Sequence, residues 1–207
     1  MIKTIFAVFC ISSFSILNAQ EGDSIAQKLN EYLTAANKIN RFNGNALISE
    51  NGKIILQKSY GYKNVTTHVL NDPNTTFQIG SVTKQFTATV ILKLQEEGRL
   101  SVNDKLDKYF PQFKYANKIT LDNLLTHTSG IYNYTNDIDA EDSALVCKPI
   151  DKQLALDLMF KHKLDFEPGK QMRYSNSGYY LLGMIIEKVT GKSYEQNVRE
   201  SMFTPLQ

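Results

Sequence analysis

The chain has 207 residues, of which 42% are hydrophobic, 21% charged and 11% aromatic. That balance, with only 11 Gly and 5 Pro, excludes a disordered or collagen-like chain, because there is enough apolar material to build a core. Lys and Arg number 23 against 21 Asp and Glu, and this net charge of +2 is spread without basic blocks, which argues against a surface that tracks nucleic-acid phosphates.

Met1-Ile2-Lys3 supplies a short positive start, and Thr4 to Leu17 is apolar or small throughout, the outline of a secretory signal peptide. The stretch is too short to span a bilayer, and Ala19 is the small residue expected at a cleavage point, so residues 1–19 are expected to be removed. About 188 residues then remain. Lipidation at Cys10 is disfavoured by the bulky Phe9 before it. The expected destination is periplasmic or secreted, with no stable membrane anchor after cleavage. Cys147 is then the only cysteine, so no internal disulfide is available, and it reads as a partly buried small residue.

From Ser24 to Ile39, apolar residues at Ile25, Leu29, Leu33 and Ala36 predict an amphipathic helix. Gly44–Ser49 and Lys53–Lys58 are β-prone runs around Glu50-Asn51-Gly52, a strong hairpin signal. A polar, turn-rich segment from Gly61 to Thr76 follows. Ser81 then opens a helix with Val82, Phe86, Val90 and Leu94 on one face, closed by Gly98, and Ala88, Ile91 and Leu92 widen that face enough to predict a largely buried helix. Further helices are expected over Thr120–Thr126, Asp151–Lys161, Ser177–Thr190 (stopped by Gly191) and Ser193–Met202. No repeat or linker divides the chain. A lone hairpin is marginal, so it must either pack on the first helix or belong to a longer sheet.

Ser81-Val82-Thr83-Lys84 carries the most chemical information, because residues three apart share a helix face and Lys84 would stand beside the Ser81 hydroxyl. A serine hydroxyl is a weak nucleophile until a neighbour takes its proton. Among the serines only Ser81 has a Lys three residues on. It also reads as a helix N-cap, although a capping box would want Glu or Gln at position 84. Tyr174-Ser175-Asn176 is the second candidate. The pattern Tyr-x-Asn recurs at Tyr62, Tyr115 and Tyr134, but only Tyr174 follows a Pro168-Gly169 turn and directly precedes a strong amphipathic helix. A tyrosine beside a lysine can act as a general base if the cation lowers its pKa, or it can simply pack at a helix start. His68, His127, His162 and Cys147 have no metal-ligand spacing, so neither a metal nor a cofactor is expected.

From Phe42 to Leu206 the sequence resembles the serine β-lactamase and penicillin-binding-protein superfamily, in its class C β-lactamase and D-alanyl-D-alanine carboxypeptidase branch. The resemblance is carried by Phe77-Gln78-Ile79-Gly80-Ser81-Val82-Thr83-Lys84, by Leu124-Leu125-Thr126-His127-Thr128-Ser129-Gly130, and by Pro168-Gly169 followed by Tyr174-Ser175-Asn176. It implies an α+β fold, β-lactamase/transpeptidase-like, with an antiparallel sheet flanked by helices and a helical subdomain. It further implies Ser81 as the nucleophile forming an acyl-serine, Lys84 and Tyr174 sharing proton transfer, and Asn176 bonding Lys84 or substrate. The block around His127 would be structural. The substrate would be a β-lactam, a D-amino-acid peptide or an ester, with no nucleic-acid partner.

One departure matters: the family's third motif, Lys-Thr-Gly or His-x-Gly on a strand, is missing, and no Lys-x-Gly or His-x-Gly occurs anywhere. With the orphan hairpin, this implies that residues 20–207 are the N-terminal portion of the hydrolase domain, apparently truncated, with the C-terminal sheet strands lacking. The alternative is a non-catalytic fragment or peptidoglycan-binding relative without a finished site.

Overall fold

A computed structural model describes residues 13–136 and 150–206, with side chains from Ile25 onward. Cys147 therefore lies outside the described residues. The chain divides between Gln78 and Ile79 into two compact units.

In the first unit, helix α1 runs Ser13–Lys38, starting upstream of the expected Ser24 and continuing through the expected cleavage point. Its Leu29, Leu33 and Ala36 are half-buried, and it packs on the hairpin of β1 (Gly44–Glu50) and β2 (Lys53–Tyr60). Asn30 Oδ1 accepts from both Lys58 Nζ (2.9 Å) and Tyr60 Oη (3.1 Å), and the Tyr60 ring meets Phe42 edge-on. Asn51 and Gly52 both take positive φ, 49° and 78°, as a two-residue turn between twisted strands requires. Pairing shifts between Ile48 and Ser49, so a bulge accompanies the hairpin.

The turn-rich segment contains a second ribbon, β3 (Tyr62–Asn64) with β4 (Val69–Leu70). Strands of three and two residues are too short for an alternating pattern to reveal. Asparagine side chains brace this ribbon: Asn43 bonds both backbone groups of Tyr62, and the buried Asn71 donates to Asn43 Oδ1 and Tyr60 O.

The second unit is helical. A 3₁₀ turn at Gly80–Val82 leads into α2 (Thr83–Glu96), followed by α3 (Leu121–Leu125), α4 (Lys152–Phe160), α5 (Asn176–Thr190) and α6 (Tyr194–Val198). After α6 come a π turn, Arg199–Phe203, and a 3₁₀ turn, Thr204–Leu206, rather than the continuous helix expected to Met202. Caps stand where the residue types require them. Thr120 and Asn123 form a reciprocal box on α3, Ser193 and Gln196 another on α6, and Asp151 caps α4. Gly98 at φ 69° ends α2, with Gly98 N donating to Gln95 O and Arg99 N to Leu94 O, and Gly191 at φ 72° ends α5.

α5 is the central element. Its Leu181, Leu182, Ile185 and Ile186 are fully buried, each contributing about 2 kcal/mol of transfer free energy. Around them pack Val90, Ile91 and Leu94 of α2, Leu121 and Leu124 of α3, and Ala155 and Met159 of α4. The Phe160 ring stacks on Phe113 at 4.4 Å. The prediction that α2 is largely buried is corrected: Thr87, Val90, Ile91 and Leu94 form one buried stripe, while Val82 and Leu92 are 53% and 51% exposed. Helical geometry turns these two away from the stripe that meets α5 and α6.

Candidate active site

Ser81 does not cap the helix that follows it. The N-terminal position of α2 is Val82, with no side-chain cap, and Ser81 sits in the preceding 3₁₀ turn with its side chain engaged elsewhere. Its Oγ lies 3.3 Å from Lys84 Nζ, as the spacing of three predicts, and 2.5 Å from Tyr174 Oη. Lys84 Nζ also donates to Asn176 Oδ1 at 2.8 Å. All four residues singled out in the sequence therefore form one hydrogen-bonded cluster.

The Tyr174 side is built by backbone pairing. Arg173 N donates to His127 O, Gly169 N to Thr128 O, and Asp165 N to Gly130 O, which ties residues 165–173 along the His127–Gly130 block. A Cβ at Gly130 would stand 2.1 Å from Phe166 O, and its φ is 70°, so this close approach requires glycine. Gly169 at φ 81° and the Lys170 N to Glu167 O bond make the expected Pro168-Gly169 turn. The His127–Gly130 block thus scaffolds Tyr174. The His127 ring lies 4.7 Å from that of Tyr174, and its Nδ1 accepts from Ser175 N at 3.3 Å. Burial, then the Lys84 charge, hold His127 below its ordinary pKa and so favour the neutral ring.

Tyr174 is 47% exposed. Burial acts to raise its pKa, but the contacts with Lys84 and Ser81 and the Lys84 charge outweigh it, and the phenol ionises below its ordinary value. Lys84 forms no ion pair with a carboxylate among the described residues, and its Nζ stands 4.7 Å over the Tyr174 ring and 5.6 Å over that of Tyr179.

Several contributors were not foreseen. Asn133 Oδ1 accepts from Asn176 N (3.0 Å), and Thr135 Oγ1 accepts from Asn176 Nδ2 (3.2 Å), which turns Asn176 Oδ1 toward Lys84. No local pattern marks Asn133 or Thr135, since their role arises 41 to 43 residues away. Tyr179 is legible in principle, standing three residues after Asn176 on the same face of α5. Beside Lys84 and Asn176 opens a cleft of about 380 Å³, walled by Tyr134, Tyr179, Tyr180 and Met184, with the Lys152–Glu187 ion pair on its lining. No cluster of three metal-ligating side chains occurs among the described residues, and no described helix is long and apolar enough to cross a membrane.

A serine at a helix start, a lysine one turn on and a tyrosine just before a second helix place a hydroxyl, an amine and a phenol within reach of one another, an arrangement able to pass a proton between them. The chain belongs to the β-lactamase family, whose model matches residues 26–207, and it has a β-lactamase/transpeptidase-like fold over the part it covers. It is 35% identical over 180 residues to a teichoic acid D-alanine hydrolase of Staphylococcus aureus, covering 87% of this chain and 42% of that protein. The crystal structure of FmtA from Staphylococcus aureus matches with a TM-score of 0.71 and 34% identity, covering 87% of this chain and 48% of the other. The D-amino acid amidase of Ochrobactrum anthropi, complexed with L-phenylalanine, matches with a TM-score of 0.73 and 27% identity, covering 86% and 49%. The chain therefore spans less than half the length of each of these hydrolases.

Proposed function

We propose that this protein is an exported serine hydrolase of the class C β-lactamase-like type that cleaves an amide, lactam or ester bond through an acyl-serine intermediate. One observation carries the reading: the Ser81 hydroxyl is shared between Tyr174 Oη at 2.5 Å and Lys84 Nζ at 3.3 Å. Ser81 Oγ attacks the carbonyl carbon while its proton passes to the Tyr174–Lys84 pair, one member of which starts deprotonated, as phenolate or free amine, and accepts it. The C–O or C–N bond to the leaving group breaks, and the leaving group takes the transferred proton. Water then attacks the ester carbon, loses its proton to the same pair, and Ser81 Oγ is released with a proton restored. The backbone N–H of Ser81, at the amino-terminal turn before α2, supports the developing oxyanion.

The related hydrolases favour a D-amino-acyl ester or amide over a lactam as substrate, since the names of the D-alanine hydrolase and the D-amino acid amidase both denote D-amino-acyl compounds. Export with loss of residues 1–19 rests on the charge and apolar pattern of that segment. A second reading keeps the family fold and the Ser81 cluster without turnover, as a peptidoglycan-binding relative.

Intact-protein mass spectrometry after incubation with a penicillin-type probe separates the two. A covalent adduct on the wild-type chain that disappears in Ser81→Ala supports the hydrolase. A folded chain that takes up no adduct supports the non-catalytic relative.

A further inference from the structure

Lys84 is a cation without a carboxylate partner among the described residues, yet proton transfer needs its nitrogen held in one place. Ser81 Oγ and Asn176 Oδ1 provide two contacts and the Tyr174 ring a third. The fourth is the ring of Tyr179, with Lys84 Nζ 5.6 Å from its centroid. Nothing in the acylation chemistry requires Tyr179 to touch substrate, but its ring is fixed on two sides. Its Oη donates to Leu125 O at 3.0 Å, at the end of α3. α3 comes this near because Gly178 has no side chain: a Cβ there would stand 3.1 Å from Leu124 O. The Tyr179 ring also lies 5.2 Å from His127, which in turn lies 4.7 Å from Tyr174. The three rings form a continuous wall, and both tyrosines present it to the same ammonium.

A carboxylate in this place would hold Lys84 by full charge and compete for its proton. An aromatic ring attracts the cation through its quadrupole and has no site that accepts a proton, so it fixes position and leaves transfer to Ser81 and Tyr174 open. We propose that Tyr179 is a positioning residue of this site, its ring holding the Lys84 ammonium against Asn176 and Ser81. The proposal rests on the reading of Ser81 and Lys84 as an acylation site and adds a member that acts only through Lys84.

Two variants of the full chain separate ring from hydroxyl. Tyr179→Phe keeps the ring and drops the bond to Leu125 O, whereas Tyr179→Leu removes both and keeps apolar bulk. In proton NMR without any probe, the Lys84 ε-methylene resonance is expected upfield of a free lysine, with cross-relaxation to the Tyr179 ring protons. It stays there in Tyr179→Phe and moves back toward the free value in Tyr179→Leu. With the penicillin-type probe, Tyr179→Leu is expected to lower the acylation rate constant about tenfold, the scale of a partly desolvated cation–aromatic contact. Apparent probe affinity stays unchanged, and Tyr179→Phe retains the wild-type rate.

The proposal is overturned if wild-type Lys84 shows neither the upfield shift nor the cross-relaxation, an outcome that does not depend on how the variants fold. It is equally overturned if folded Tyr179→Leu acylates at the wild-type rate, or if Tyr179→Phe loses as much as Tyr179→Leu, which would assign the role to the Leu125 bond. Should the wild-type chain take up no probe, the hydrolase reading falls, while the Lys84 resonance still decides whether Tyr179 places the ammonium.

Discussion

Tyr174 Oη and Ser81 Oγ stand 2.5 Å apart across 93 residues of chain, and each belongs to the turn that opens a helix of the same unit. Two helix starts therefore face one another, with Lys84 on one and Asn176 on the other bonded at 2.8 Å. The pairing concentrates a hydroxyl, an amine and a phenol within hydrogen-bonding reach.

Removing the phenol tests its part in proton transfer. Tyr174→Phe keeps the ring against His127, so the melting temperature should hold, while acylation by the penicillin-type probe falls by about 10² to 10⁴, the usual contribution of a positioned acid or base.

The direction of the Tyr174 shift has a kinetic signature. A phenol that ionises below its ordinary value of 10.0 gives an acylation rate that rises with pH and levels off below pH 10. That limb should be absent from the residual activity of Tyr174→Phe, and an unchanged profile in the variant would assign the titration to another group.

His127 is held neutral in the fold, and its folded pKa lies below the unfolded value near 6.5. The unfolded chain therefore binds more protons in the window under pH 6.5, so the stability that His127 contributes is complete above that pH and is lost as pH falls through and below it. Thermal melts from pH 8 to 5 should show a declining wild-type melting temperature. The decline should be shallower in His127→Asn, a residue that tolerates the φ of 58° found here. Equal slopes would remove His127 as the cause.

Gly130 holds the scaffold against the Tyr174 loop. Gly130→Ala places a methyl 2.1 Å from Phe166 O on a left-handed backbone, so unfolding free energy should drop by about 2–4 kcal/mol in denaturant titration. Acylation should fall with it even under conditions where the variant remains folded, because residues 165–173 are displaced.

The core of the helical unit is tested at α5. Leu182 is fully buried, and Leu182→Ala should cost about 2–5 kcal/mol by lost transfer energy and cavity formation. Urea titration should show the midpoint fall with little change in slope.

Much of the local structure was legible because its causes are local. Asn51-Gly52 adopts the two positive φ values of a tight hairpin, Gly98 and Gly191 end their helices, and Pro168-Gly169 makes its turn. The β3–β4 ribbon was not legible, since Asn43 and Asn71 hold it by bonds to backbone groups 19 and 11 residues away and to each other across 28. The partial exposure of α2 was missed for a related reason: its sequence is apolar on more than one side, and only the placement of α5 and α6 decides which side is covered.

At the site itself, the proximity of Ser81 and Lys84 follows from sequence alone, because three residues along a helical turn share a face whatever surrounds them. Sequence context, the Pro168-Gly169 turn before it and the amphipathic helix after it, singles out Tyr174 among four Tyr-x-Asn tripeptides, but its contact with Ser81 belongs to the tertiary structure. Tyr62 lies in β3, Tyr115 packs edge-on to Phe113, and Tyr134 is buried against Tyr180, whereas Tyr174 alone is carried to Ser81 by the strand-like pairing of residues 165–173 with His127–Gly130. Spacing sets what one turn of helix can bring together, while contact across 93 residues requires a buried core to hold two helix starts in place.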